Sequence, residues 1–341
     1  MKHFVATVLA CSLTLAALPA SAQEKLKVSI WGGSWRDAIA DTVGKKFTAQ
    51  TGAEVEFVTG GTNDRLTKAK LAGDAPETDV VFTTSHVSRL YAASGLLETL
   101  DLAKIPNAAN LFPIARKYPD VLGVWSYAYT IVYRPDLAPA GMTFDSWEDL
   151  WDPRMKGMLG LHGTDPSHII AAAAKLSGTD VANWEKAQPK LLALKPNIKA
   201  YYSSDATSQE KLASGETPVQ VILTSNAYAI AKNTDLKISI PKEGAIAGID
   251  VIGINKGTKH ADLAYKFLNI VLSPEVQAEL ANSKKIGPMN AKAKVSPDVA
   301  ALPGVFTTIE QWKDQTIVID DKVRAEKLGQ WREWFAENMM N

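Results

Sequence analysis

The chain has 341 residues, of which 46% are hydrophobic and 22% charged, and lysine plus arginine equals aspartate plus glutamate at 37 each. Such a balance gives no field for nucleic acid or for an anionic membrane surface, so neither is an expected partner. The one cysteine, Cys11, rules out an internal disulfide and cysteine metal clusters, and the length exceeds what one hydrophobic core usually holds, so two lobes are expected.

In chain order, Lys2 supplies a short positive start, Phe4 to Leu18 is an apolar run, and Ala20-Ser21-Ala22 has the small-residue pattern of a signal-peptide cleavage site. The run is shorter than the about 20 residues a bilayer span needs. Val8-Leu9-Ala10-Cys11 loosely resembles a lipoprotein site, but cleavage there would leave a hydrophobic segment of only about seven residues. Residues 1–22 are therefore expected to be a signal peptide, with Gln23 the mature N-terminus. Removal of Lys2 leaves a net charge of −1 and no cysteine, as expected for a soluble protein of the periplasm.

Leu26 to Trp31 alternates as a strand, Gly32-Gly33 breaks it, and Asp37 to Gln50 has helical spacing. Glu54 to Val58 predicts a strand, Asp64 to Ala72 a helix, Asp79 to Phe82 a third strand, and the stretch through Leu90 and Ala93 another helix. This βαβαβ order implies a parallel sheet with right-handed crossovers. After Tyr133 a second series follows: strand Met158 to Leu161, helix Ser167 to Leu176, strand Pro218 to Leu223, and a helix after Thr224. Asp250 to Ile254 is a buried strand, Ala261 to Leu272 a helix, and Ser273-Pro274-Glu275 starts another. Lys322 to Met339 reads as an amphipathic helix packing Trp331 and Trp334 on a lobe.

Val124 to Tyr133 and Ile246 to Ile254 lack helical period and fall where the chain passes between lobes. Open α/β sheets bind ligands beyond the carboxyl ends of their strands, so two facing lobes joined by crossing strands make a hinged cleft. The expected division is 23–126 plus 251–300 for the first lobe, and 127–250 plus 301–341 for the second.

Catalytic signatures are missing: there is no GxxxxGK loop, HExxH, GxSxG or CxxC. Gly32-Gly33-Ser34 lacks the spacing of a nucleotide cradle and serves better as a turn whose amides can face a ligand carboxylate or carbonyl. His86, His162 and His168 are widely spaced and read as surface or core residues. Tyr201-Tyr202 raises the alternative of a ferric-iron-binding protein, although adjacent strand side chains point to opposite faces. No enzyme activity, cofactor or metal is expected.

IWGGSWRDAI (30–39), KKFTAQTGAEVEF (45–57), DVVFTTSHVSRLYAASGLLETLD (79–101), SWEDLWDPRMKGMLGL (146–161) and GIDVIGINKGTKHADLAYKFLNIVLSPEVQAEL (248–280) together resemble the solute-binding proteins of bacterial ABC importers, of the spermidine/putrescine-binding type. The resemblance implies an α/β, two-lobed periplasmic-binding-protein fold (type II-like) with its cleft between lobes joined by hinge strands. It also implies a monomer that captures a small solute and delivers it to an inner-membrane permease. Carried over by position, it places an amine-binding carboxylate on Asp250 and an aromatic contact on Trp35 beside Ser34. A loop contact falls on Ser85 or His86, and an acid on Asp165 next to Thr164. Trp125 and Tyr127 lie in segments expected at the cleft, as cation-holding faces or as hinge-core aromatics, and Asp250 has the alternative of a structural strand-end carboxylate.

The chain departs from that pattern at two tryptophans. Gly248 stands two residues before Asp250, and Leu223 stands in the strand before Asn226, another expected cleft residue. Arg36 beside Trp35 offers a partner for a ligand carboxylate or a solvated helix-face charge. The thinned aromatic box points toward a shorter amine or a zwitterion, such as an amino-acid-like or aminoalkyl compound, in place of a long polyamine.

Overall fold

The computed structural model describes residues 24–340; the expected signal peptide lies outside the described residues. Eleven strands form one curled sheet: β1 (Lys25–Ile30), β2 (Glu54–Thr59), β3 (Val80–Thr84), β4 (Leu122–Tyr133), β5 (Leu159–His162), β6 (Ile198–Tyr202), β7 (Val219–Leu223), β8 (Lys237–Ser239), β9 (Ala245–Ile254), β10 (Gly287–Pro288) and β11 (Thr316–Val318). The main path runs β2-β1-β3-β9-β4-β7-β5-β6. β1 pairs parallel with β2 and β3, and β5 pairs parallel with β6 and β7, so each lobe carries the parallel sheet its βα alternation implies.

β4 and β9 join the lobes. They pair antiparallel over most of their length, from Leu122↔Ile252 to Tyr129↔Ile246. The carboxyl half of β9 also pairs with β3, and the carboxyl half of β4 with β7 and β8, so each strand belongs to both lobes. Their near-continuous burial explains why neither reads as a two-sided amphipathic strand.

Two large cores meet at these strands. The first contains Val28, Ile30, Phe47, Phe82 and Phe267; the second contains Trp147, Trp184, Leu191, Trp331 and Phe335. A fully buried side chain of this size contributes about 1.5–3 kcal/mol relative to exposure. The segment 301–341, assigned on sequence to the second lobe, divides: Phe306 and Trp312 pack in the first core, and Ile319 to Met339 in the second.

Helix Ser167–Leu176 has the expected bounds, and helix Pro274–Lys284 starts as read, with the Ser273 side chain accepting from the Val276 amide. The helix expected over 37–50 is interrupted by a π turn at Ala40–Gly44, where the Thr42 hydroxyl donates back to the Ala38 carbonyl. The C-terminal helix, Asp321–Asn338, is capped by Asp320, whose carboxylate accepts from the Lys322 and Val323 amides. It packs its aromatic face on the second lobe, as read, and also reaches the first. Its first turn touches the first lobe, with Ser85 and Tyr118 donating to Asp321, while Trp331 and Phe335 are buried in the second core.

Candidate functional site

A cleft of about 590 Å³ opens between the lobes, lined on one side by the turns and helices after β1, β2 and β3, and on the other by the ends of β5 and β7 and the segments after β5 and β6. Residues at alternate positions of β4 share a face, which aligns Trp125, Tyr127 and Tyr129. Tyr127 and Tyr129 line the cleft, with ring centroids 6.2 Å apart in an edge contact. Trp125 lies deeper, buried, between Phe82 (5.7 Å) and Trp35 (4.8 Å, planes 12° apart). Gly33, at φ 62° and ψ −137°, turns the chain from β1 into the helix Ser34–Ile39 and so sets Trp35 against Trp125. Trp31, at the mouth of the same turn, donates Nε1 to the Thr62 hydroxyl and also lines the cleft.

Asp250 sits opposite Trp125 in the β4–β9 register and opposite Thr84 in the β3–β9 register. Its residue exposure is 7%. Oδ2 accepts the Trp125 indole N–H at 2.7 Å, and Oδ1 is buried without a partner. Burial pushes the carboxyl up to about 7, against the opposing pull of the Trp125 hydrogen bond and of Arg65 and Arg324. A buried acceptor of this kind is costly until a donor reaches it, and a cation restores its charge.

Gly248 faces Tyr127 across the ladder. A side chain there would collide with the Tyr127 hydroxyl and ring, so the Tyr127 phenol occupies the space of the absent aromatic. Leu223 lines the cleft at the other vacant tryptophan position.

The second-lobe wall is built on a buried ion pair. Asp165 Oδ1 accepts from the Ser167 amide and hydroxyl, and Oδ2 accepts from Arg324 Nη2 at 2.6 Å. Burial works against the Asp165 charge, yet Arg324, His168, His86 and the Ser167 hydroxyl outweigh it and hold the carboxyl well below its usual range. Arg324 Nη2 also lies 3.2 Å from His168 Nε2, whereas Nε is buried without a partner. His168 stacks on Tyr129 at 3.6 Å, and burial with the Arg324 charge lowers it to about 3. Burial likewise holds the His86 imidazole well below its ordinary value. Arg332, two turns beyond Arg324, donates Nε to the Thr164 carbonyl at 2.6 Å and lines the cleft beside it.

Of the residues singled out on sequence, Trp35, His86, Tyr127, Thr164, Asp165 and Asp250 are brought together on the cleft. Ser34, Ser85, Trp125 and Asn226 are not on its lining. Ser34 accepts from Lys284, whose ammonium lies 4.6 Å from the Trp35 ring. Ser85 bonds Asp321 and faces a separate cavity of about 240 Å³. Asn226 donates to Asp205, which lines the cleft. Arg36 pairs with Asp37 and is half-exposed, outside the lining. Asp165, the acid that the resemblance places at the start of a second-lobe helix, already carries the Arg324 charge.

His162 and His168, read as surface or core residues, line the cleft, and His162 Nδ1 accepts the Asp165 amide at 3.1 Å. Other cleft residues that the sequence did not single out include Trp31, Tyr129, Asp205, Arg324 and Arg332. For Tyr129 the period-two series from Trp125 was a usable signal. For the two arginines there was none, because a basic residue on an amphipathic helix looks like a solvated one. The iron alternative is not supported. Tyr201 donates to the Met339 carbonyl and Tyr202 to the Val221 carbonyl, and neither lines the cleft. Among the described residues no group of three or more His, Cys, Asp or Glu side chains is placed to hold a metal ion.

The family model for bacterial extracellular solute-binding proteins matches residues 42–307. A putrescine/cadaverine-binding protein of Pseudomonas aeruginosa is 29% identical over 328 residues, covering 87% of this chain and 89% of its own. The putrescine-binding periplasmic protein of Escherichia coli is 29% identical over 336 residues, covering 89% and 90%. Among solved structures, an ABC transporter protein of Clostridium perfringens superposes with a TM-score of 0.78 at 29% identity, over 92% of this chain and 99% of that one.

Proposed function

Because the chain belongs to the bacterial extracellular solute-binding protein family, we propose that it is the exported, substrate-binding component of an ABC importer and captures a small amine-containing solute in the interlobe cleft. The observation that carries the reading is Asp250, a buried carboxylate on a hinge strand with one oxygen unpartnered. A primary ammonium supplies both the missing donor and the missing charge, and the Tyr127 ring suits a cation or its methylene stem, contributing about 0.5–2 kcal/mol, while Trp35, stacked on Trp125 and facing Lys284, borders the cleft. Relatives named for putrescine and cadaverine binding support the amine class.

The mechanism is closure about β4 and β9. Solute docks on one lobe, the other lobe closes over it, and a permease distinguishes the closed form from the open one. The ligand shifts that equilibrium only by its differential affinity for the closed state. The solute is released unchanged to an inner-membrane permease, and the binding protein acts as a periplasmic monomer.

A thermal-shift panel of linear amines, amino acids and neutral sugars tests the class. An amine at about 100 times its Kd stabilises the protein by about 2.7 kcal/mol. Stabilisation by sugars with no response to amines would refute it.

A further inference from the structure

We propose that the cleft selects a zwitterion, an ammonium group joined by a short aliphatic chain to a carboxylate or another acidic head, with the ammonium at Asp250 and the acidic head at Arg324 and Arg332. This inference rests on the amine reading and adds the second end of the ligand.

Three observations carry it. First, a guanidinium that is 5% exposed lines the same cleft as Asp250 and is only partly used. Its hydrogen bonds, to Asp165 and His168, both come from Nη2, while the buried Nε lacks an acceptor. An arginine fork holds a carboxylate or phosphonate through two parallel N–H donors, and a diamine offers no acceptor to it. Second, Arg332 sits beside it on the same face of the C-terminal helix, tied by its Nε to the Thr164 carbonyl, with its terminal nitrogens left for the cleft. Third, the Tyr127 phenol closes the wall at Gly248, beside Asp250, and the aliphatic Leu223 stands on the lining. At the Arg324 and Arg332 end of the cleft a second ammonium would meet two guanidinium groups, while the exposed carboxylates Asp64 and Asp205 lie elsewhere on the lining.

The buried Asp165 carboxylate does not cancel this preference. It fixes the guanidinium in place through Nη2 and is itself saturated by Ser167 and Arg324. His86 and His168 each keep a buried Nδ1 without a partner, and their depressed basicity leaves them as neutral imidazoles at neutral pH. A neutral imidazole can donate one N–H to an anion without the repulsion between two buried cations.

The test is calorimetric titration of the unaltered mature protein with matched linear chains of butane to hexane length, each as the ω-amino carboxylic acid, the ω-amino phosphonic acid, the diamine and the monoamine. The inference expects one of the two zwitterion series to bind at least about tenfold tighter than the diamine and monoamine of equal length. The better of the carboxylate and phosphonate arms identifies the acidic head. Arg332→Gln should shrink that margin, read as the ratio of zwitterion to monoamine affinity within the same variant. Arg324→Met combined with Asp165→Asn, which removes both members of the buried pair, should abolish the margin. A diamine that binds as tightly as every zwitterion, or a margin that survives both variants, overturns the inference while the amine reading stands. Failure of all four series to bind overturns both.

Discussion

Lowering the pH from about 8 to about 6 should weaken amine binding about tenfold through the single carboxyl of Asp250. Burial raises this carboxyl to about 7 in the empty cleft. It is therefore about nine-tenths ionised near pH 8 and about one-tenth ionised near pH 6. A bound ammonium favours the carboxylate, so binding below the free-state value must first expel a proton, and affinity falls about tenfold for each further unit. The ligand amine, with a pKa near that of lysine at about 10.4, stays cationic throughout the range. Burial lowers the nearby imidazoles, His168 to about 3 and His86 and His162 in the same direction, which moves their titrations down and away from pH 7. Titration calorimetry at several pH values, in two buffers of different ionisation enthalpy, reads both affinity and protons exchanged. About half a proton should be released per amine bound near pH 7. A flat affinity between about pH 6 and 8, with no proton release, would refute the assignment of Asp250 as the ammonium partner.

The same carboxyl bears on stability. A carboxyl raised in the folded state stabilises below its unfolded value near 3.9, and that contribution is lost as pH rises through about 7. Asp250→Asn should therefore remove a penalty of up to about 4 kcal/mol near pH 8, and urea melts of the empty variant at about pH 5 and 8 should show a flatter profile than the parent; an identical slope would contradict this. Gly248→Ala should cost about 1–3 kcal/mol by collision with Tyr127, and combining it with Tyr127→Ala should cost less than the sum of the single changes in denaturant melts. Arg324→Met alone should destabilise by about 3–5 kcal/mol, by leaving Asp165 charged and unpaired in the interior, and adding Asp165→Asn should recover most of that loss. Trp35→Ala should weaken amine affinity by roughly two- to thirtyfold in titration calorimetry, since it removes one aromatic face and the stack on Trp125.

Much of the fold is legible in the sequence because its elements obey local rules. The Ser273-Pro274 start, the βαβαβ order before residue 100, and the helix after Pro166 all follow from caps, breakers and period. The hinge strands are recognisable by their unbroken apolar character and lack of helical spacing. The π turn at Ala40–Gly44, where the Thr42 hydroxyl donates to the Ala38 carbonyl, was not legible, since it leaves the apolar spacing of the helix unmarked. The site divides along the same line. Trp35 follows the turn after β1, and Tyr127 and Asp250 sit within the two hinge strands, so sequence position and cleft position coincide. Arg324 and Arg332 come from a helix more than 150 residues beyond Asp165 and Thr164, and only the folding of that helix across both lobes brings them to the cleft. Arg36, the arginine adjacent in sequence to Trp35, turns outward to Asp37.

The central claim is that a buried, unpartnered carboxylate on a hinge strand is the anchor for an amine. Titration of the parent protein and of Asp250→Asn with the same linear amine, near pH 8, tests it most directly. The parent should show one saturable site and the variant a loss of about ten- to a hundredfold, the scale of a charge-assisted hydrogen bond. Equal affinity in a folded variant would contradict it and remove Asp250 from the binding site.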